Sequence, residues 1–273
     1  MKVVLVTGAS KGIGRAVAKA FAQDGAKLVL AARSEEGLKR VAEEVNTEVL
    51  TVPTDVTDPE QVKALVEAAT RRFGRIDVLV NNAGIGKVGP VESDTFADDL
   101  KRTQQASLFG MINVTQEVLP IMHEQHQGAI VNMSSVMGRK AFARFGSYAI
   151  VMHGVSAFSD SLRQELAGSG IAVSVIHPAL TATDLLKDAA EAEMPPPFRH
   201  MRPLTADEVG LAVVKAVRKG TKRVVLPRRA NNLLLGEALS PALGDLIATA
   251  LSKKRVARLL GMSGRTYHEL LAG

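Results

Sequence analysis

Apolar residues along this chain follow two alternating patterns. Short runs rich in β-branched residues predict buried strands near residues 2–7, 27–32, 49–53, 77–81, 128–133, 171–177 and 223–226. Between them, apolar residues spaced three and four apart predict helices near residues 12–24, 35–45, 59–73, 95–125, 147–167 and 205–219. Strands that alternate with helices form parallel sheets through right-handed crossovers, so this order predicts an α/β protein with a doubly wound, mostly parallel sheet.

In a doubly wound sheet, ligands bind at the carboxyl ends of the strands, so residues that directly follow strands are the first candidates for a site. Residues 193–203, which include three consecutive prolines, interrupt the regular pattern. This stretch predicts a loop or lid over the same edge of the sheet.

Beyond Leu226 the pattern changes to three short helical pieces with apolar faces and basic edges, near residues 231–239, 241–251 and 253–260. We therefore divide the chain into a sheet domain, residues 1–227, and a helical basic extension, residues 228–273. Eleven of the 34 Lys and Arg residues, but only three of the 28 Asp and Glu residues, lie from Arg218 onward, so the net charge of +6 belongs to this end.

A basic extension is most often a solvated face, and it can also bind an anionic membrane surface. We favour packing against the chain's own body or against a second subunit, which predicts a homo-oligomer. We expect no nucleic-acid partner.

Composition narrows the class of protein. A chain of 273 residues with 46% hydrophobic residues fits one soluble domain, and it has no uncharged apolar run of 18 residues. Met1 leads directly into the first predicted strand, which leaves no room for a signal peptide, so we expect a cytoplasmic protein. The absence of cysteine excludes disulfides and thiolate metal sites, and the histidines show no ligand spacing, so we expect no metal.

The first strand runs into a glycine-rich turn that opens a helix. Ala9, Ser10 and Lys11 separate Gly8 from Gly12, and Ile13 separates Gly12 from Gly14. Glycines at this position let backbone amides at a helix N-terminus approach a pyrophosphate. The turn therefore predicts a dinucleotide site on a Rossmann-like sheet.

The residue after the second strand discriminates between the two nicotinamide dinucleotides. Folds that bind NAD usually place an acid there for the ribose 2′-hydroxyl, whereas this chain has Arg33. Arg33 and Lys11 provide two cations suited to a 2′-phosphate, so we predict NADP(H), with NAD(H) as the alternative.

These features together resemble the short-chain dehydrogenase/reductase family, and the resemblance runs from Val3 to about Leu226. Residues 7–14 resemble the family's TGxxxGIG cofactor turn, and Asp55 with Val56 resembles its adenine contact. Asn81, Asn82, Ala83 and Gly84 match its NNAG motif, which implies cofactor contacts for the last three of these residues.

The second half of the resemblance concerns the reacting end of the cofactor. Residues 131–135 resemble the segment that ends in the family's active serine, here Ser135, and Tyr148 lies thirteen residues further on. Residues 177–183 resemble the segment that holds the nicotinamide amide, which implies contacts from Pro178, Thr181 and Thr183. Ala179 replaces the usual glycine of that segment.

In the family, a tyrosine exchanges a proton with the substrate oxygen, a serine binds the same oxygen, and a lysine lowers the tyrosine pKa. An asparagine holds that lysine through water. The resemblance assigns the first two roles to Tyr148 and Ser135, but Met152 occupies the lysine position and Ser107 the asparagine position.

Without the lysine, the tyrosine should ionise like an ordinary phenol. Such a phenol has a pKa of about 10, so only about one phenol in a thousand is ionised at pH 7. We therefore predict an oxidoreductase for a small carbonyl or alcohol substrate with impaired or altered catalysis. The alternative is a natural pseudoenzyme, or a rebuilt pocket, that binds NADP(H) without normal turnover. A serine hydrolase using His153 or His177 is a remoter alternative.

Overall fold

Seven strands form one sheet in the computed structural model, which describes residues 1–186, 194, 198, 201–259, 264, 267 and 269. They are β1 (Val3–Thr7), β2 (Lys27–Ala32), β3 (Val49–Pro53), β4 (Val78–Asn81), β5 (Gly128–Met133), β6 (Ile171–Pro178) and β7 (Arg223–Leu226). Their order is β3-β2-β1-β4-β5-β6-β7, and every pairing between neighbours is parallel. The predicted doubly wound sheet is confirmed.

Helices cover both faces of this sheet. They are α1 (Gly12–Gln23), α2 (Glu35–Glu43), α3 (Pro59–Phe73), α4 (Phe96–Gln104), α5 (Gly110–Glu124), α6 (Gly146–Glu165), α7 (Ala206–Lys219), α8 (Ala230–Leu239), α9 (Pro241–Leu251) and α10 (Lys254–Leu259). Side chains alternate along each strand, so Val4 and Val6 pack towards α1, α2 and α7, whereas Val3 and Leu5 pack towards α3, α5 and α6. Burial of both faces explains why the strands are apolar throughout.

The long helix predicted at residues 95–125 is interrupted. A π-helical turn, Gln105–Phe109, separates α4 from α5 and contains Ser107. The hydrophobic spacing is continuous through this region, so sequence periodicity gave no sign of the turn. Its position matches a tertiary contact, because the Ser107 hydroxyl bonds both backbone groups of Ile85 in the loop after β4.

A buried polar network fixes β4 and β5 to the helices behind them. The Asn81 side-chain amide donates to the Thr115 hydroxyl of α5 and to the side-chain oxygen Oδ1 of Asn132 in β5, both at 2.9 Å. The Asn132 amide in turn donates to the Ser159 hydroxyl of α6 at 3.0 Å. Buried hydrogen bonds of this kind are costly to break, so they set where α5 and α6 begin relative to the sheet edge.

The C-terminal extension contains an antiparallel helical hairpin, α8 and α9, joined at Ser240. Close approaches of Gly236 to Ile247 and of Gly244 to Glu237 define the antiparallel packing. Its inner face contacts the body of the same chain, because Leu234 is buried in one apolar cluster with Val225, Met137, Met194, Phe198 and Met201.

Three of those buried residues, Met194, Phe198 and Met201, belong to the predicted lid, residues 193–203. They pack inward rather than standing away from the sheet edge. Residues 193, 195–197 and 199–200 of the lid lie outside the described residues.

A buried lysine anchors the hairpin to the loop after β5. Lys140 is only 4% exposed, and its ammonium lies 2.5 Å from Glu237 Oε2 and 2.8 Å from Asp245 Oδ1. Burial is the largest single influence on the pKa of Lys140 and lowers it. The two carboxylates together outweigh burial, so the pKa is raised above its usual value. The charged form is therefore the one this pocket stabilises.

We expect Lys140→Met to lower the free energy of unfolding by about 1–3 kcal/mol, because it leaves two neighbouring carboxylates without a cation. The larger loss of unfolding free energy that follows breaking a fully buried ion pair is not expected here, since the Asp245 side chain is 75% exposed. Urea unfolding measures the change. Lys101→Met is the control, because its pair with Asp98 is exposed on both sides and should matter by less than about 0.5 kcal/mol. Equal effects of the two substitutions would contradict the anchoring role.

Candidate active site

The strand order reverses between β1 and β4, and the turns that follow these two strands are bonded to each other. The Thr7 hydroxyl accepts from the backbone amides of Asn82 and Ala83 at 3.0 and 3.1 Å. The Asn82 side-chain amide donates back to the carbonyl oxygens of Thr7 and Gly8 at 3.0 and 3.2 Å. The two predicted cofactor motifs therefore form one rigid edge at the switch point of the sheet.

Close packing within this edge requires glycine. Gly8 has a φ of +64°, and a Cβ at Gly14 would lie 2.2 Å from the Gly8 carbonyl oxygen. The turn can therefore keep its shape only without side chains at these two positions.

The amides at the start of α1 have no side-chain cap. Lys11 at the N-cap of α1 makes no side-chain bond to them and the first turn contains no acid, as is also true of α6, α8 and α9. Uncapped amides at a helix N-terminus suit an anion. The residues present thus fit the pyrophosphate of a dinucleotide.

The segment after β6 lies over the glycine turn. The Lys11 ammonium is 3.1 Å from Asp184 Oδ2, and the Thr183 side chain is 3.4 Å from where a Cβ of Gly12 would be. Tyr267, from the C-terminal extension, donates its hydroxyl to the Thr183 carbonyl oxygen. Lys11 therefore already has a partner across the crevice, which the sequence did not indicate.

The other predicted cofactor residues lie at the same edge. Arg33 is exposed directly after β2, and Ser10 lies beside Gly37 at the start of α2. Asp55 accepts from the backbone and hydroxyl of Thr57 at 2.9 and 2.8 Å, which shapes the turn after β3. Their cofactor contacts stay predictions.

Ser135 and Tyr148 meet in one crevice. Ser135 follows β5, and its hydroxyl accepts from the Met137 amide at 3.2 Å and donates to the Pro178 carbonyl oxygen at 3.4 Å. Tyr148 lies on the first turn of α6. Together with these two residues, Ile13, Pro178, Thr181 and Thr183 line the crevice, so six predicted site residues come together there.

The surroundings of Tyr148 favour the neutral phenol. Burial raises the pKa of Tyr148 to about 12, and the nearby Ser135 hydroxyl lowers it only in part. Met152, one turn further along α6, is buried in an apolar cluster with Met111, Val151 and Val155. The position at which the sequence resemblance predicts an ammonium therefore contributes apolar surface here.

Ser107 has a role that sequence reasoning missed. Its hydroxyl donates to the Ile85 carbonyl oxygen at 3.3 Å and accepts from the Ile85 amide at 3.1 Å, and it lies 2.8 Å from where a Cβ of Gly84 would be. Ser107 thus fixes the loop after the NNAG motif to the π-helical turn. The sequence feature that could have indicated this role is a small hydroxyl residue within a predicted helix, because serine side chains often hydrogen-bond to nearby backbone groups.

The two histidines of the hydrolase alternative do not activate Ser135. His177 is fully buried, and its Nδ1 lies 2.9 Å from the Ser135 backbone carbonyl oxygen rather than from its hydroxyl. Burial lowers the pKa of His177 to about 4, so the ring is neutral near pH 7. His153 Nδ1 bonds the Ala149 carbonyl oxygen within its own helix at 2.8 Å.

The walls of the crevice are mostly apolar. It has a cavity volume of about 80 Å³ and lies against Met137, Phe145, Leu180, Met194 and Phe198. Phe142 supports this wall from behind, with its ring centroid 4.9 Å from that of Phe198. An apolar lining with a few polar groups is typical of small-molecule sites.

Several known proteins are similar to this chain in sequence. Levodione reductase of Leifsonia aquatica is 40% identical over 194 residues, which are 69% of this chain and 72% of that protein. Glycine betaine reductase ATRR of Emericella nidulans is also 40% identical, over 195 residues that are 70% of this chain but only 15% of that protein.

Solved structures share its fold. A crystal structure of levodione reductase has a TM-score of 0.76 at 34% identity and covers 82% of this chain and 95% of its own. A short-chain dehydrogenase/reductase from Burkholderia phymatum in complex with NAD has a TM-score of 0.78 at 28% identity, with coverages of 89% and 94%. The family model described as short chain dehydrogenase matches residues 2–194. This chain therefore belongs to the short-chain dehydrogenases, a family of oxidoreductases that bind nicotinamide cofactors.

Proposed function

We propose that this protein is an NADP(H)-dependent oxidoreductase that reduces a small, largely apolar carbonyl compound, with catalysis weakened by the loss of the active-site lysine. The observation that carries the proposal is that Ser135 and Tyr148 line one crevice beside the glycine turn. Two hydroxyls placed together can bind one substrate oxygen, and the phenol can donate a proton to it.

The cofactor would be held by the chain's own backbone and cations. The uncapped amides of α1 suit the pyrophosphate, and Lys11 and Arg33 suit a 2′-phosphate. When bound, the cofactor supplies the hydride. Lys11 would exchange Asp184 for the phosphate, because a doubly charged phosphate is the stronger partner for an ammonium.

The raised pKa of Tyr148 supports reduction over oxidation. Reduction needs the neutral phenol as an acid, and the neutral form is the one that burial favours. Oxidation needs the phenolate as a base, which is scarce when the pKa is about 12. The apolar crevice walls favour a substrate with few polar groups beyond its carbonyl.

The second candidate is a cofactor-binding protein without turnover. Met152 favours it, because this buried side chain fills with apolar atoms the place from which a lysine would assist the tyrosine and the ribose. The two candidates share a cofactor site and differ only in chemistry at Tyr148.

Tyr148 should titrate well above an ordinary tyrosine. The chain has two tyrosines, so in a Tyr267→Phe background the tyrosinate absorbance reports Tyr148 alone, and we expect ionisation near pH 12. Because unfolded tyrosine ionises near pH 10, this residue stabilises the fold fully below pH 10 and loses that contribution as the pH rises to about 12. Tyr148→Phe, the control, should remove this part of the pH dependence. Ionisation at or below pH 10 would contradict the proposed environment.

Cofactor preference should depend on Arg33. We expect calorimetry to show NADPH binding on the order of tenfold more tightly than NADH, and Arg33→Asp to reverse the order by placing a like charge beside the phosphate. Arg40→Asp makes the same charge change further along α2 and should leave the preference intact. Equal affinities that Arg33→Asp does not alter would refute the NADP assignment.

Catalysis should improve when the missing residues are restored. We expect the parent protein to reduce ketones slowly with NADPH, and Tyr148→Phe to abolish this activity. Met152→Lys with Ser107→Asn should raise NADP-dependent alcohol oxidation at least about tenfold and lower its pH optimum, because an ammonium one turn from Tyr148 favours the phenolate.

His153→Lys is the matched control for the restored lysine, since it adds a lysine at the next position of α6 on an exposed face. It should change nothing. If the double variant binds NADP normally but oxidises a broad alcohol panel no faster than the parent, the mechanism was not inherited from the family. If the parent binds NADPH tightly but reduces no ketone of a broad panel, the second candidate is correct.

A further inference from the structure

The outer face of the α8–α9 hairpin is apolar and exposed. Leu235 and Leu239 lie four residues apart on α8 and are 62% and 72% exposed, and Leu243 and Leu246 lie three apart on α9 and are 38% and 65% exposed. Each pair occupies one face of its helix, whereas neighbouring positions such as Leu234 and Gly244 are buried. Clustered exposed leucines on a folded surface are typical of a binding surface.

The acidic residues of the hairpin do not break up this face. Residues 230–252 contain two acids, Glu237 and Asp245, and no Lys or Arg. Both acids bond Lys140 in the loop after β5. Their charge is therefore neutralised in part on the body side of the hairpin, while the leucines remain outward.

Basic residues lie at the end of the hairpin remote from its turn. Because α8 and α9 are antiparallel and joined at Ser240, Arg228 before α8 and Lys253, Lys254 and Arg255 after α9 come to the same end. All four side chains are exposed. Leu239 and Leu243 flank the opposite end, at the turn.

Exposed leucines beside clustered cations fit an anionic bilayer better than a second copy of the chain. A second copy docked face to face would match the leucines but would offer no acid to the cations, because the two acids of the hairpin bond Lys140. An anionic bilayer offers an apolar layer for the leucines and phosphates or carboxylates for the cations. Among the described residues, no helix is long and apolar enough to cross a membrane.

We propose that the outer face of the α8–α9 hairpin binds peripherally to anionic lipid surfaces, with its leucines in the interfacial layer and its basic end on the headgroups. The inner face holds the hairpin on the body through Leu234 and Lys140. Leu234 shares its apolar cluster with Phe198 of the crevice wall, so docking would hold the candidate active site near the lipid. This proposal does not depend on any enzymatic activity.

Vesicle sedimentation of the whole protein tests the proposal. We expect binding to vesicles of equimolar phosphatidylcholine and phosphatidylserine that weakens with added salt, and much weaker binding to phosphatidylcholine alone. Leu239→Glu with Leu243→Glu should lower the affinity for the mixed vesicles at least about tenfold, because two apolar contacts are lost and two like charges are added. Lys253→Glu with Lys254→Glu should remove the preference for the anionic lipid.

Leu211→Glu is the matched control, because this leucine is 60% exposed on α7 and lies outside the hairpin. It should bind vesicles as the parent does, and melting curves should show that all variants are folded. Absence of binding by the parent, or equal binding by the parent and the Leu239/Leu243 variant, would overturn the proposal. So would a parent that binds no vesicles but is a dimer in sedimentation velocity and becomes monomeric in that variant, since the face would then be a subunit interface.

Discussion

The hydroxyl of Thr7 and the side-chain amide of Asn82 hold together the two turns on which the candidate site depends. Through them, the glycine turn after β1 and the NNAG turn after β4 are bonded directly across the point where the strand order reverses. This contact leaves no room for side chains at Gly8 and Gly14. It therefore fixes the start of α1, whose uncapped amides are the natural place for a dinucleotide phosphate.

A second constraint acts on the reacting end of the crevice. The buried network of Asn81, Asn132 and Ser159 bonds α6 to the sheet, and α6 carries Tyr148 into the crevice that Ser135 also lines. The same helix presents Met152 where its relatives are expected to have an ammonium. Geometry suited to proton transfer is thus combined with electrostatics that keep the phenol neutral, and this combination is why we assign the reductive direction.

The C-terminal extension contributes to the site as well as to the surface. Leu234 packs behind the crevice wall, Lys140 anchors the hairpin, and Tyr267 bonds the backbone of Thr183 beside the glycine turn. The extension is thus continuous with the apolar cluster around the crevice. The inner face of the α8–α9 hairpin is buried against the body of the chain, whereas its outer face is exposed.

The sequence alone determined the strand and helix order, the parallel sheet and the glycine turn, because each depends on local spacing. Its family resemblance also predicted Ser135 and Tyr148 as site residues, and the structure places both in one crevice. The sequence could not reveal the π-helical turn at Ser107, since hydrophobic periodicity continues through it. Nor could it reveal that Lys140 meets Glu237 and Asp245, about a hundred residues away, or that Lys11 meets Asp184. Those contacts, and the burial that raises the pKa of Tyr148, arise only when distant segments pack together, so only the tertiary structure decided them.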